Sequence, residues 1–301
     1  MNESEYMKKI EELNLEIIKL KTSKEYSTGK KIIKIGQYLK NLQIKKFINK
    51  IQESKNIKKY SHEEEDNNYC RIEKDCDTKP KIAVYTCITG NYDKEILEPY
   101  IKVDNIDFYL FTDDVKQKSE NWIIKPIPKQ IDENYNNILK NRYIKMHPCE
   151  LFKEYDYSIY IDGNVQVMSD LTELVFSVNH KIGIAMHRHQ FRDCICDEIE
   201  VCKIKKKGNY NEMKMQVKEY IDKGFPKKFG MLEATIIVTQ LKNEVAKKFL
   251  DDWWSEFVSS DSLRDQISLQ YVVWKNKFKI NDIAVLGNNL YRNPKFRVNI
   301  H

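Results

Sequence analysis

No apolar run in this chain approaches the roughly 20 residues that a membrane-spanning helix needs, and no charged-then-apolar leader opens it. The chain is therefore expected to be soluble or peripheral, without a spanning segment. Its seven cysteines are odd in number and irregularly spaced, which argues against a disulfide framework and for reduced thiols in a cytosolic setting. Neither G-x-G-x-x-G nor G-K-[ST] occurs, so simple dinucleotide-binding and P-loop ATPase readings lose support. No internal repeat is visible.

What is present is a globular composition with extra charge. The 301 residues are 41% hydrophobic, enough to fill one large α/β domain or two small ones. The net charge is +6, yet ten lysines face one glutamate between Gly29 and Lys59, so the basic excess is a local patch. Aromatic residues do not interleave with that run, and nucleic acid is not the expected partner.

Composition changes near residue 80. The polar tracts Ser61 to Asn68 and Asp75 to Pro80 read as a linker, giving a charged helical extension and linker over 1–79 and a second domain over 80–301. In the extension, Ile10, Leu13, Ile17 and Leu20 recur at the spacing of a short coiled coil. After an expected break at Ser27, Thr28 and Gly29, Ile32, Ile35, Leu39, Leu42, Phe47 and Ile51 form a second amphipathic piece with lysines on its other face. Residues 1–60 fit either an anionic membrane surface or a solvated helix packed on this domain or on a coiled-coil partner.

From Lys81 onward, strand-like and helix-like stretches alternate, which predicts a mainly parallel sheet with helices on both faces. Strands are expected at Lys81 to Cys87, Phe108 to Phe111, Trp122 to Lys125 and Ser158 to Ile161, then at Ile182 to Met186, Thr235 to Val238 and Ile283 to Leu286. Helices are expected at Ile138 to Tyr155, Glu212 to Lys223, Glu244 to Val258 and Leu263 to Asn276.

The run Y-S-I-Y-I-D-G-N-V-Q-V from Tyr157 ends a strand in Asp162, Gly163 and Asn164. An acid at the mouth of a buried strand is costly unless it binds something, and open α/β sheets bind ligands at those strand ends. Asp162 and the amide oxygen of Asn164 offer two oxygen ligands suited to Mg²⁺ or Mn²⁺ carrying a diphosphate, which points to sugar transfer from a nucleotide donor. The first strand runs into a loop of small and polar residues from Thr86 through Gly90 and Tyr92, where a mononucleotide commonly docks, although a tight turn without ligand has the same composition. Asp113 and Asp114 close the second strand; Asp113 is read as a binding residue and Asp114 as turn chemistry. Arg142 and Lys145, three apart on a helix, share a face suited to a diphosphate, as well as to an exposed salt-bridged surface.

Several blocks stand in one order along the chain. They are Y-T-C-I-T-G-N-Y-D from Tyr85, D-F-Y-L-F-T-D-D from Asp107, N-R-Y-I-K-M-H-P from Asn141, Y-S-I-Y-I-D-G-N from Tyr157, H-Q-F-R-D-C-I from His189, G-F-P from Gly224, M-L-E-A from Met231 and R-D-Q-I-S from Arg264. In these, the segment from about Lys81 to Lys275 resembles the glycosyltransferase-like domain shared by the plant turgor-regulation-defect and mucilage-related proteins and by bacterial polysaccharide-locus proteins. The resemblance implies an α/β, GT-A-like fold, a mixed and mainly parallel sheet flanked by helices behind the N-terminal helical extension. It also implies nucleotide-sugar chemistry with Mn²⁺ or Mg²⁺. Asp162 and Asn164 occupy the place of the family's D-x-D metal motif, with an amide for the second acid. His189 and Arg192 match its H-x-x-R, and Glu233 and Asp265 its later acids, with Gln266 beside the donor sugar. Glu233 or Asp265 is the expected catalytic acid or base.

Two function classes follow from this. One is a glycosyltransferase moving a sugar from a nucleotide-sugar donor to a saccharide or lipid-linked acceptor in surface polysaccharide assembly, cytoplasmic and peripheral at the inner membrane face. The other is a non-catalytic sugar- or nucleotide-binding module recruited by the N-terminal helices. Cys194, Cys196 and Cys202 near His187 and His189 lack the paired spacing of common zinc sites. His187 is expected at the surface, at least one of Trp253 and Trp254 in the core, and Tyr291 to His301 as either a lid over the donor or an ordinary tail.

Overall fold

The computed structural model describes residues 3–40, 43–61, 79–90, 96–114 and 116–299. Both linker tracts, apart from their ends, and Tyr92 lie outside the described residues. Three helices come first, α1 (Glu3–Thr22), α2 (Lys24–Lys40) and α3 (Ile44–Lys58). The expected break at Ser27 to Gly29 falls inside α2. The helix break lies at Ser23, whose hydroxyl accepts from the Tyr26 N–H at 3.1 Å and so restarts the chain as a cap does.

The sheet domain runs β1 (Ile82–Ile88), β2 (Ile106–Thr112), β3 (Ile123–Pro126), α4 (Lys129–Asn134), α5 (Asn137–Met146), α6 (Pro148–Leu151), β4 (Tyr157–Ile161) and β5 (Val165–Val167). It continues through β6 (Ile184–Arg188), α7 (Ile195–Ile204), α8 (Tyr210–Asp222), β7 (Leu232–Gln240), α9 (Glu244–Val258), α10 (Asp265–Lys275), α11 (Ile280–Ile283) and β8 (Phe296–Val298). Six strands form one sheet in the order β3-β2-β1-β4-β7-β6, and β5 pairs with β8. Strands β3, β2, β1 and β4 are mutually parallel; β7 runs antiparallel to both β4 and β6. This is the α/β class expected, a mixed and mainly parallel sheet flanked by helices behind an N-terminal helical extension.

Every residue of β1 is buried, as a central parallel strand covered on both faces requires. Its side chains alternate: Ala83, Tyr85 and Cys87 join a core with α5, α9 and α10, while Ile82, Val84 and Ile88 join one on the other face with Leu171, Val175 and Leu290. Trp253 is fully buried in the first core. A third cluster packs α7 and α8 on Ile267 and Tyr271 of α10.

Three elements differ from expectation for identifiable reasons. The helix expected over Ile138 to Tyr155 divides at His147, because Pro148 has no N–H to continue it. The fifth main strand starts at Ile184, not Ile182, since Gly183 turns the chain at φ +75° with the Asn243 side chain against it. Ile283 to Leu286 is not a strand: it leaves α11 and runs beside β6 through two hydrogen bonds, Leu286 N–H to the Met186 carbonyl at 3.1 Å and Arg188 N–H to the Gly287 carbonyl at 3.0 Å.

The first helix docks on the end of the chain. Lys295, 1% exposed, donates to Glu11 at 2.6 Å and to the Asp170 carbonyl at 2.7 Å, and lies 3.1 Å from Glu173. Ser169 donates to the same Glu11 carboxylate at 3.0 Å, and Asn14 to the Pro294 carbonyl at 3.2 Å. Tyr6, Leu13, Ile17 and Leu20 of α1 face solvent. Among the described residues no helix is long and apolar enough to cross a membrane.

Candidate active site

Strand β4 ends where its neighbour β7 bulges. His187 pairs with Glu233, whereas Met186 pairs with Ile237, so β7 carries extra residues over Ala234 to Ile236. The Gln266 and Gln270 side chains of α10 restore the lost hydrogen bonds, both donating to the Leu232 carbonyl and accepting from the Ala234 and Leu232 N–H groups at 3.4 and 3.0 Å. The Asp162 N–H donates to the displaced Thr235 carbonyl at 3.0 Å, and Val165 N–H closes a turn onto the Asp162 carbonyl at 2.9 Å. This turn aims Asp162, with its side chain 35% exposed, into a cleft of about 760 Å³.

Helix α5 brings Arg142 and Lys145 to the cleft from the next layer. Arg142 Nε lies 2.8 Å and Lys145 Nζ 2.9 Å from Asp265 Oδ2, and Lys145 Nζ is also 3.7 Å from Asp162 Oδ1. Asp265 opens α10, where Trp253 Nε1–H donates to its carbonyl at 3.1 Å. Burial opposes ionisation of Asp265, yet Arg142, Lys145 and Arg264 outweigh it and hold the carboxyl well below the usual carboxylate range. Burial likewise opposes the charge on Arg142, and Asp265 and Asp162 more than compensate, raising it.

A second charged group lines the same cleft. His189 Nδ1 accepts from the Phe191 and Arg192 N–H groups at 3.2 Å each; its Nε2 lies 2.8 Å from Arg192 Nη2 and 3.6 Å from Glu233 Oε2. Burial and then Arg192 lower its pKa, with Glu233 pulling the other way. Buried Glu198 of α7 takes Arg192 on one oxygen and Arg264 on the other, the latter at 3.3 Å. Burial pushes Glu198 up, but the two guanidiniums prevail and its pKa is lowered. Glu233 accepts from the Thr235 hydroxyl at 2.8 Å.

The cleft thus brings together Arg142, Lys145, Asp162, Asn164 and His189 with Arg192, Glu233, Asp265 and Gln266. Gln266 is committed to the β7 backbone, as described above. Thr86, inside β1, and Gly90 and Asp113, just past the ends of β1 and β2, do not line that cleft. Gly90, at φ +67°, donates its N–H to Asp113 at 2.8 Å, and the Thr86 hydroxyl is buried without a hydrogen-bond partner. Arg264 and Glu198 were missed as site residues. Arg264 stands beside Asp265 in the R-D-Q-I-S block, a signal that was there to use; Glu198 sits on α7, a helix without clear amphipathic spacing. His187, expected at the surface, is fully buried, with Nε2 3.1 Å from the Asn293 amide. Tyr291 and Val298 line the cleft, so the C-terminal stretch reaches the site.

Among the described residues no group of three or more His, Cys, Asp or Glu side chains could hold a metal ion by itself. The oxygen atoms to be tested against a metal are those of the Asp162 carboxylate and the Asn164 carboxamide, whose nitrogen donates to the Asn299 carbonyl at 2.9 Å and so leaves Oδ1 as the atom that could ligate. One carboxylate and one amide oxygen fit a hard dication that takes its remaining ligands from water and substrate phosphates.

A comparison with curated proteins finds no match. Solved structures similar in part include the apo WbbM bifunctional glycosyltransferase, at 14% identity and TM-score 0.39 over 69% of this chain and 39% of that one. The galactosyltransferase LgtC with donor and acceptor sugar analogues is another, at 14% identity and TM-score 0.36 over 65% of this chain and 70% of that one. The chain therefore spans about two fifths of the WbbM chain. The family described as TOD1/MUCI70, glycosyltransferase-like domain, matches residues 47–297, and the chain belongs to that family.

Proposed function

We propose that the protein is a glycosyltransferase that moves a sugar from a nucleotide-sugar donor to a saccharide or lipid-linked acceptor, in surface polysaccharide assembly at the cytoplasmic membrane face. The observation that carries this reading is the convergence of Asp162, Arg142, Lys145, Asp265 and Glu233 on one cleft at the end of β4.

Departure of a nucleoside diphosphate places negative charge on its phosphates, and Arg142, Lys145, Arg192 and Arg264 supply fixed positive groups to meet it. Asp162 and Asn164 would hold Mn²⁺ or Mg²⁺, which when bound supplies Lewis-acid stabilisation of that same charge. Asp265 keeps Arg142 and Lys145 aimed into the cleft; surrounded by cations and held ionised, it is a poor proton acceptor. Glu233 is the acid left to take the acceptor proton, with His189 and Thr235 fixing its position. Gly90 and Asp113, together with Thr86 and Tyr92, are assigned to the nucleoside, and Gln266 to positioning β7 beside the donor sugar.

Donor hydrolysis tests the reading, measured for UDP-, GDP- and CMP-sugars with and without Mn²⁺. Wild type is expected to turn over one donor in a Mn²⁺-stimulated manner, with Asp162→Ala slower by about a hundredfold or more. No turnover with any donor, together with unaltered nucleotide binding by Asp162→Ala, would favour the non-catalytic binding module.

A further inference from the structure

Helix α1 has two faces with different fates. Glu11 and Asn14 fasten one of them to the end of the chain, through Lys295, Ser169 and the Pro294 carbonyl. The other carries Tyr6, Ile10, Leu13, Ile17 and Leu20, which recur at alternating spacings of four and three. At 3.6 residues per turn the two faces point roughly 110° apart, so docking of the first leaves the second uncovered. Ile10 is half-buried, and the other four side chains are between 40% and 66% exposed.

That spacing is the seam of a coiled coil, and its residue types select a partner. Ile10 and Ile17 fall at the a positions and Tyr6, Leu13 and Leu20 at d. Isoleucine at a with leucine at d favours two parallel strands, because the β-branched side chain fits the a layer of a dimer. The flanking charges agree with a second copy of the same helix. Glu16 stands at g and Lys21 at the following e, the positions that meet across a parallel two-stranded seam, and neither makes an ion pair among the described residues. A two-fold axis along the seam forms that pair twice. Lys9, at the preceding g, meets Asn14 at e, so like charges do not oppose one another. The seam ends with the helix, since the next a position is Lys24, just past the break at Ser23. A membrane surface is the poorer match: α1 carries five glutamates against four lysines, without the basic polar face that draws a helix to anionic lipid.

Independently of the glycosyltransferase reading, we infer that α1 is a dimerisation helix, and that two copies of this chain join through a parallel coiled coil of their α1 helices. Tyr6, Ile10, Leu13, Ile17 and Leu20 form its apolar layers, and Glu16 of each copy lies opposite Lys21 of the other.

Sedimentation equilibrium of the full chain over a dilution series tests this. Wild type is expected to pass from one chain to two as concentration rises. Leu13→Ser/Ile17→Ser should weaken association at least about tenfold. It should leave the melting temperature of dilute protein unchanged, because both side chains are already exposed in the single chain. Glu16→Lys should weaken association about fivefold, and Glu16→Lys/Lys21→Glu should restore it. Under mild oxidation Leu20→Cys should give a cross-linked dimer absent from wild type, since a d residue meets its own counterpart in a parallel pair and not in an antiparallel one. Wild type remaining a single chain up to about 100 μM would overturn the proposal. So would association that is unaltered in Leu13→Ser/Ile17→Ser or in Glu16→Lys, failure of the charge exchange to restore it, or absence of the Leu20→Cys cross-link. A lowered melting temperature for dilute Leu13→Ser/Ile17→Ser would also overturn it, by showing that the chain covers this face itself.

Discussion

Asp265 keeps its charge because Arg142, Lys145 and Arg264 surround it, whereas Glu233 has a hydroxyl and an imidazole for neighbours. The folded pKa of Asp265 is depressed, so its contribution to stability is complete above the ordinary carboxylate range and lost as pH falls towards the folded value. His187 titrates with a different consequence. Burial pushes its pKa down to about 3, so the unfolded chain takes up a proton near about 6.5 while the folded chain resists it. Its neutral form therefore supports full stability above that higher value, and stability is lost as pH falls from there towards about 3, by about 1.4 kcal/mol per pH unit. His147 and His189, also lowered, add to the slope. Urea midpoints measured across this range should fall less steeply in His187→Gln than in wild type, by one histidine's share. Equal slopes would show that His187 is not protonated differently in the two states. The residue types at the site were legible because Asp162, Arg142 and Glu233 stand in readable blocks. The burial of His187 was not, because one residue at a strand end carries no periodic signal.

At the scale of elements, α9 matches its predicted range Glu244–Val258 residue for residue. Asn243 caps it by accepting from the Val245 and Ala246 N–H groups at 2.9 and 3.0 Å, and its apolar face repeats cleanly. The β7 bulge is less visible, since the strand composition reads as continuous through Ala234 to Ile236 and only pairing with β6 reveals the extra residues. Its integrity depends on two glutamines from another element. Gln266→Leu would leave the buried Ala234 N–H unpaired and remove one donor from the Leu232 carbonyl, costing about 2 kcal/mol in chemical denaturation. A loss near zero would mean that water or Gln270 replaces the amide. Pro148 was a readable stop that the helical spacing around it overrode in the prediction; the missing N–H decides such cases.

At the scale of the whole molecule, the N-terminal helices are tied into the sheet domain at two places. Glu11 of α1 meets Lys295, and α3 contributes Lys50 and Lys58 to the cleft. Glu11→Ala removes one of the two carboxylates on buried Lys295, whose ammonium keeps Glu173 and the Asp170 carbonyl, so the cost is that of a charged hydrogen bond, about 2 kcal/mol. Hydrogen exchange should then quicken in α1 while β1 and β4 keep their protection; uniform protection in the variant would mean that other contacts suffice to hold the helix. By itself, the sequence determined the α/β class, most strands and helices, and the acid-bearing strand end, because periodicity, caps and strand-end residues are local properties. Only the tertiary structure decided which charges meet. Lys145 reaches Asp265 across 120 positions and Lys295 reaches Glu11 across 284, and a contact between residues so far apart exists only once the core has folded.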